Sequence, residues 1–277
     1  AGHPLHFDDR QFARWTRLLE GRTGLFIAPE RKSFLASGLR VRMRETGCED
    51  LGEYYRLLSS PTPQAREWSL LVDQLTVHET CFFRHASSMR LVEEVILPDA
   101  PRRGGTFQAW SVACSTGEET YSLAMLIDSY LAGQGDKARF GVTGTDISLP
   151  SLRQARAGRY LQRRMKDIPS MFRERYCVPA GNERFGITDS LRKRVCFAQL
   201  NLRDVADAPM NAMDLVFCQN LLIYYDRERR LEIVNSLSEC LSPGGVLVLG
   251  PGELLNWQHP TMEKVRYQDT LAYRRTD

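Results

Sequence analysis

The chain has 277 residues, 43% of them hydrophobic and 26% charged, with a formal net charge of +3. That length suits one large domain, or a catalytic domain with a smaller companion, and the composition is that of a globular protein rather than a disordered or fibrous one. The small net charge does not by itself imply nucleic acid, no apolar run reaches the ~18 residues of a membrane span, and no signal-peptide pattern is read at the start. The expectation is a cytoplasmic protein with no direct membrane insertion. The seven cysteines are scattered, odd in number and free of any CxxC pair. They argue against a disulfide framework or a zinc site, and most are expected to be small core residues.

From about residue 8 to residue 76 the pattern is helical only. Phe12, Trp15, Leu18 and Leu19 lie three and four apart, as do Phe34, Leu35, Leu39 and Met43. Leu71 and Leu75 resume the spacing after the "SSPTP" break at 59–63. Such stripes are the apolar faces of amphipathic helices, so a small all-helical domain is expected over 1–76. Arg31, Lys32, Arg40, Arg42 and Arg44 surround "SFLASGL" and predict one helix with a positive face.

A seam over 77–98 leads into a second domain over 99–277. Strands are expected over "TFQAWSVAC", "ARFGVTGTD", "AMDLVFCQN" and "GGVLVLG", with helices over 121–131, 151–157 and 227–240. The run "KVRYQDTLAYRR" reads as a closing hairpin. Strands alternating with helices predict an α/β fold with a mostly parallel sheet and crossover helices on both faces. Unbroken apolar runs such as "DLVF" and "VLVL" fit strands buried on both sides. Pro169, Pro179, Gly181, Gly186 and many charges interrupt this scheme between about 159 and 198. They read as a small antiparallel β insertion, placed at about 172–198, with "ERFGITDSLRKRVCFAQ" as a flap.

In open α/β sheets, ligands bind outside the carboxyl ends of the strands, where the strand order reverses. Three expected strand ends carry acid or amide groups: Glu118 and Glu119, then Asp146, then Gln219 and Asn220. A carboxylate ending the second strand can accept both hydroxyls of a ribose and would repel a 2′-phosphate. That feature alone leaves NAD open. The first turn, "STGEETYS", has the single glycine Gly117, which argues against a pyrophosphate there. Its acids suit a cation instead, such as the α-amino group or sulfonium of S-adenosylmethionine. Pro243, Gly244 and Gly245 read as a sharp turn feeding the last parallel strand, a weak signal by itself.

The segments "HETCFFR" at 78–84, "STGEETYS" at 115–122, "LNL" at 200–202 and "FCQNLLIYY" at 217–225 narrow the choice. In this order the sequence resembles the chemotaxis receptor glutamate O-methyltransferases, the CheR family. That family's corresponding motifs read Asn-Glu-Thr-x-Phe-Phe-Arg, "STGEEPYS" and "FCRNVLIYF". The resemblance implies a class I, Rossmann-like S-adenosylmethionine-dependent methyltransferase, with S-adenosylhomocysteine as product. Its partner would be the cytoplasmic domain of methyl-accepting chemotaxis receptors, and the enzyme itself a monomer that does not act on nucleic acid. By similarity Thr80 and Arg84 face the cofactor, Glu119 takes its amino group, Asp146 its ribose, and Asn201 and Leu202 its adenine. Gln219 and Asn220 would line the transfer pocket, with Arg84 and Tyr224 as the catalytic pair.

Two positions depart from the family pattern. His78, which the resemblance places among the cofactor-binding residues, replaces an asparagine and keeps one hydrogen-bond donor, and Gln219 replaces a frequent arginine and removes a positive charge. The basic helix carrying Arg31, Lys32, Arg40, Arg42 and Arg44 would dock the acidic receptor helices. The loop over 177–187 is shorter than in enzymes that grip a tethering receptor peptide, so no tether is expected. His3, His6, His85 and His259 show no ligand spacing and are expected at the surface. The rivals are a nucleic-acid methyltransferase and a non-catalytic, cofactor-sensing adaptor. "QNLLIYY" stands where an amino-methyltransferase carries Asn/Asp-Pro-Pro-aromatic, which counts against the first. Retention of Arg84, Glu119, Asp146 and Tyr224 counts against the second.

Overall fold

The computed structural model describes residues 7–60, 64–76, 80–100, 105–133, 139–254 and 256–277. Its first part is helical: α1 (Asp9–Thr23), α2 (Lys32–Thr46), α3 (Leu51–Leu58) and α4 (Ala65–Leu75). Asp8 and Asp50 cap α1 and α3 by accepting the Gln11 and Glu53 N–H groups, each at 2.8 Å. Gly24 and Gly47 end α1 and α2 in the left-handed conformation that glycine adopts without strain. The apolar stripes meet in one core around Trp15, Leu19, Leu35, Leu39, Tyr54, Leu71 and Leu75. At Gly38 an added Cβ would lie 2.7 Å from the Leu75 side chain, so the close passage of α2 over α4 requires the missing methyl.

The seam runs into α5 (Ala86–Leu91), a π-helical stretch over Val92–Ile96 and α6 (Leu97–Asp99). Then follow β1 (Thr106–Val112), α7 (Glu118–Gly133), β2 (Arg139–Asp146) and α8 (Leu149–Ala157). The chain continues through β3 (Arg159–Leu161), α9 (Ser170–Tyr176), β4 (Cys177–Pro179), β5 (Arg184–Ile187), α10 (Asp189–Arg192) and β6 (Val195–Gln199). It closes with β7 (Met213–Cys218), α11 (Arg227–Glu239), β8 (Leu241–Leu249), β9 (Met262–Val265) and β10 (Leu271–Arg275).

The main sheet has seven strands in the order β6-β2-β1-β7-β8-β10-β9. Its first five strands are parallel, and β10 runs antiparallel to both β8 and β9. Alternate strand residues feed two cores. Phe107, Ala109, Leu215, Phe217, Val246 and Val248 face one, and Trp110, Val112, Val216, Cys218, Leu247 and Leu249 face the other. Both sheet faces are therefore covered, as the unbroken apolar runs predict. Leu25 and Val72 of the helical part belong to the second core, so the two parts share packing. The strand order reverses between β1 and β7, which makes their carboxyl ends the place for a ligand.

Several expectations need correcting. Val195–Gln199 does not belong to the insertion: it is β6, paired parallel to β2 in register Val142↔Val195. The small sheet instead begins at Arg159, with order β3-β5-β4. The charges of "SLRKR" hide that strand because they occupy α10 and the turn leading into it. The Pro243–Gly245 stretch lies inside β8 rather than before it. Pairing jumps from Met213↔Leu241 to Leu215↔Val246, a bulge that accommodates a proline without a ladder donor. A Cβ on Gly245 would stand 2.5 Å from the Met213 carbonyl oxygen. Among the cysteines, Cys114, Cys218 and Cys240 are buried, while Cys48, Cys81 and Cys177 are partly so and Cys196 is exposed.

Arg42 leaves the expected docking face. Its Nε and Nη2 donate to Glu67 Oε1 and Oε2 at 3.0 and 2.8 Å, and Tyr54 donates its hydroxyl to the same carboxylate at 2.7 Å. This nearly buried fork joins α2 to α4 and leaves no charge for a partner. Lys32 pairs with Asp9 at 2.6 Å, and Arg31 lies over the Phe34 ring. Arg40 and Arg44 stay exposed, one helical turn apart.

Candidate active site

The switch point is built from two unusual turns. After β1 the chain places Ala113 and Ser115 at positive φ (55° and 50°) and Gly117 at 92°. Gly117 is required twice over, since a Cβ there would also meet the Ala155 Cβ of α8 at 2.8 Å. Its N–H donates to the Cys114 carbonyl at 2.9 Å, and α7 starts at the next residue. After β7, Asn220 adopts φ 60°, the left-handed conformation that asparagine tolerates best among residues with a Cβ. Glu253 fixes this second turn, accepting Leu222 N–H at 3.0 Å and Gly250 N–H at 2.8 Å. Arg230 adds bonds to the Tyr225 and Glu253 carbonyls at 2.8 and 3.2 Å.

Between the turns lie two adjoining recesses that share Ala113, Ser115 and Asn220. The first is apolar with one acid: Leu25, Ile147, Leu200, Leu202 and Leu221 surround Asp146, and Tyr224 closes it. Asp146 is 7% exposed. Its two oxygens accept Ser115 N–H and Ser148 N–H, each at 2.8 Å. The second recess is polar and contains Thr80, Arg84, His85, Glu119, Gln219 and Asn220.

Glu119 and Gln219 define what the second recess can hold. Burial pushes the Glu119 carboxyl up to about 8; the Ser111 hydroxyl bond opposes the rise, the Glu253 charge adds to it and Arg84 offsets it. Gln219 is 4% exposed and donates its amide to Ser88 Oγ and the Leu249 carbonyl at 2.8 and 3.0 Å. Its Oε1 has no hydrogen-bond partner among the described residues. A buried acid held near neutrality and an orphaned amide oxygen both favour a cationic ligand group. An ammonium or sulfonium fits this donor set, and a phosphate does not. The first recess, with apolar walls and one carboxylate, fits a nucleoside.

The insertion locks the seam onto these turns. Phe83 donates its N–H to Ser122 Oγ at 3.0 Å and stacks on Phe172 with ring centroids 5.3 Å apart. Phe82 packs edge-on against Tyr160 at 5.0 Å. Arg164 reaches from the insertion to the Thr80 carbonyl and lies 3.7 Å from Glu118. Glu118 is 1% exposed, accepts from Thr116 at 2.6 Å and is raised by its burial. It therefore braces the turn and does not line either recess.

Two family models match the chain: "CheR methyltransferase, all-alpha domain" over residues 10–76 and "CheR methyltransferase, SAM binding domain" over residues 78–271. The chain belongs to the CheR methyltransferase family. Among similar proteins, the chemotaxis protein methyltransferase of Escherichia coli is 32% identical over 259 residues, covering 92% of this chain and 87% of that one. Chemotaxis protein methyltransferase 1 of Pseudomonas aeruginosa is 31% identical, with coverage of 92% and 94%. Chemotaxis protein methyltransferase 2 of Vibrio cholerae is 30% identical, with coverage of 96% and 92%. Membership makes the chain an S-adenosylmethionine-dependent methyltransferase of the chemotaxis type, with S-adenosylmethionine as its cofactor.

Set against the family reading, the structure brings Thr80, Arg84, Glu119, Gln219 and Asn220 into one recess, and Asp146, Leu202, Asn220 and Tyr224 into the other. Arg84 and Tyr224 thus stand in different recesses, joined through Asn220. Asn201 lines neither. Its side chain caps the turn at Arg203 N–H and donates to the Arg22 carbonyl at 3.0 Å, while Leu202, the other residue expected at the adenine, lines the first recess beside Leu200. His78 lies outside the described residues, as do His3 and His6. His85 is a correction: it is half-buried in the second recess, with Nε2 2.7 Å from the Asn220 amide nitrogen. Its place beside Arg84 in the seam motif is the only sequence signal for it. Leu25 and Thr76, from the helical part, also line the first recess and carry no motif.

Proposed function

We propose that this chain transfers a methyl group from S-adenosylmethionine to the side-chain carboxylate of a glutamate in a chemotaxis receptor's cytoplasmic domain. The observation that supports it most is the second recess, where Glu119, held near neutrality, and the unpartnered Gln219 oxygen await a cation beside Arg84. When bound, the cofactor supplies a methyl on a positively charged sulfur, which a carboxylate oxygen displaces to give a methyl ester and a neutral thioether.

Glu119 would hold the amino group and Asp146 the ribose hydroxyls, with Leu200 and Leu202 lining the apolar recess for the base. Arg84 orients the incoming carboxylate through its forked donors. Asn220, shared by both recesses, and Tyr224 would flank the transferring methyl. A glutamate is already anionic at neutral pH, its unperturbed pKa being ~4.3. No general base is needed, and alignment with exclusion of water supplies the rate. The Cys114 and Cys218 thiols are held well above their ordinary range by burial, so neither offers the thiolate of a base-attacking nucleophile.

Arg40 and Arg44 present the positive face that meets acidic receptor helices. The enzyme acts in the cytoplasm, where such receptor domains lie; no described helix is long and apolar enough to cross a membrane. Two variants test the site. Asp146→Ala is expected to weaken cofactor binding, and Tyr224→Phe to slow turnover with binding intact. Normal methylation of receptor fragments by both would refute the assignment.

A further inference from the structure

The loop that follows the cofactor carboxylate is held by Gln199, which donates to the Ile147 carbonyl at 2.9 Å, and by two side chains of the helical domain. Ser69 and Asp73 stand one turn apart on α4. Ser69 Oγ accepts Leu149 N–H at 2.9 Å and faces the Ile147 carbonyl at 3.4 Å. Asp73 Oδ1 accepts the Ser148 hydroxyl and lies 3.4 Å from Ser151 Oγ. Ser148 in turn caps α8, accepting Ser151 N–H at 3.2 Å, and its own N–H donates to Asp146 Oδ1 at 2.8 Å. Ser69, Ser148 and Ser151 are all buried and Asp73 is half-buried, so the serine side of these bonds is shielded from water.

The arrangement is more than a domain contact. Asp73 places a negative charge at the N-terminus of α8, where the helix dipole favours it. Through Ser148 the same contact fixes the residue whose N–H aims Asp146. A carboxylate that must meet two ribose hydroxyls tolerates little rotation, and a displacement of about 1 Å costs heavily in such a site. Leu25 and Thr76 of the helical part also wall the recess that contains Asp146.

We infer that Asp73 is a positioning residue for the cofactor: it acts through Ser148 to hold Asp146 in its ribose-binding orientation, so that the helical domain shapes cofactor affinity as well as receptor docking. The inference rests on the reading of Asp146 as the ribose carboxylate. It also gives a physical reason for the two domains to share a buried polar junction, since such a junction costs desolvation that an apolar contact would avoid.

The test is a double-mutant cycle on the whole chain, read as the dissociation constant of S-adenosylhomocysteine by calorimetry. Asp73→Ala is expected to weaken binding about tenfold while leaving kcat at saturating cofactor within about twofold. Asp73→Asn, which keeps an acceptor for the Ser148 hydroxyl, should recover most of the loss. The Asp73→Ala, Ser148→Ala double variant should lose less than the sum of its parts, because both changes remove one bond. Unchanged binding in folded Asp73→Ala, additive losses, or an equal loss in Asp73→Asn would each overturn the inference. An Asp146→Ala arm separates the two readings. If it too binds normally, the ribose assignment fails; if it alone is weakened, only the role of Asp73 does.

Discussion

Ser111, in the last turn-facing stretch of β1, donates its hydroxyl to Glu119 Oε1 over 2.7 Å and ties the strand to the first turn of α7. The bond is too weak to offset the burial of the acid, whose pKa stays at about 8. In the free enzyme at pH 7, Glu119 is therefore mostly protonated.

Proton release on binding follows from this. An ammonium arriving beside Glu119 favours the carboxylate, so below pH 8 each bound cofactor should displace a proton. Affinity should rise with pH from 6 towards 8 and then stop rising, as the ligand's own α-amino group, with a pKa near ~8, begins to lose its charge. Calorimetry in buffers of different ionisation enthalpy measures the released proton directly. Glu119→Gln should abolish the release; a flat affinity between pH 6 and 8 in the wild type would contradict the assignment.

The turn carrying Asn220 depends on one acid. Glu253→Ala strands the Leu222 and Gly250 N–H groups, each costing about 1–3 kcal/mol when buried without a partner. Chemical denaturation should show a loss of about 3 kcal/mol, with methylation falling further than cofactor binding. Gly250→Ala should behave alike, because its Cβ would lie 2.1 Å from Glu253 Oε2.

The basic residues of α2 divide into two kinds. Removing Glu67 leaves Arg42 and the Tyr54 hydroxyl without their shared acceptor, and Glu67→Ala should destabilise the protein by about 3–5 kcal/mol. Arg40→Glu with Arg44→Glu should change stability by less than about 0.5 kcal/mol. That pair should nevertheless raise KM for receptor fragments, an effect that added salt shrinks. Thermal melts and methylation kinetics on the same samples would reveal any exchange of the two phenotypes.

His85 offers a pH test of the second recess. Its burial, with Arg84 adding to the effect, lowers its pKa below 6.5; the Asn220 bond and Asp269 oppose the shift. The neutral ring is the native form above pH 6.5, and the ring takes up its proton only as pH falls through the lowered value. Its proton resonance should titrate below 6.5, and Asn220→Ala should lower that midpoint further by removing the bond. A midpoint above 6.5 would count against the recess as described.

Much of this was legible in the sequence, for local reasons. Strand ends show where apolar runs give way to Asp146 or to Gln219 and Asn220, and the lone Gly117 marks a turn no other residue fits. The apolar spacing of Trp15 and Leu19 reports a helix face directly. What sequence alone does not show is which partner a polar side chain finds across the fold. Arg42 reads as one more surface cation until Glu67, 25 residues away, takes it. Asp73 carries no motif, and Ser148 lies 75 residues from it. His85 reads as a surface residue because its half-burial arises from a turn 135 residues later. Val195–Gln199 reads as insertion because its pairing partner, β2, is remote in the chain.

The most direct test of the central claim is transfer of a radiolabelled methyl group from S-adenosylmethionine to purified receptor cytoplasmic fragments, with nucleic acid present as a competing acceptor. The expected result is label on the receptor fragment, released as methanol by mild base and absent when the acceptor glutamates are changed to alanine. Label that resists base, or that appears on the nucleic acid instead, would contradict it.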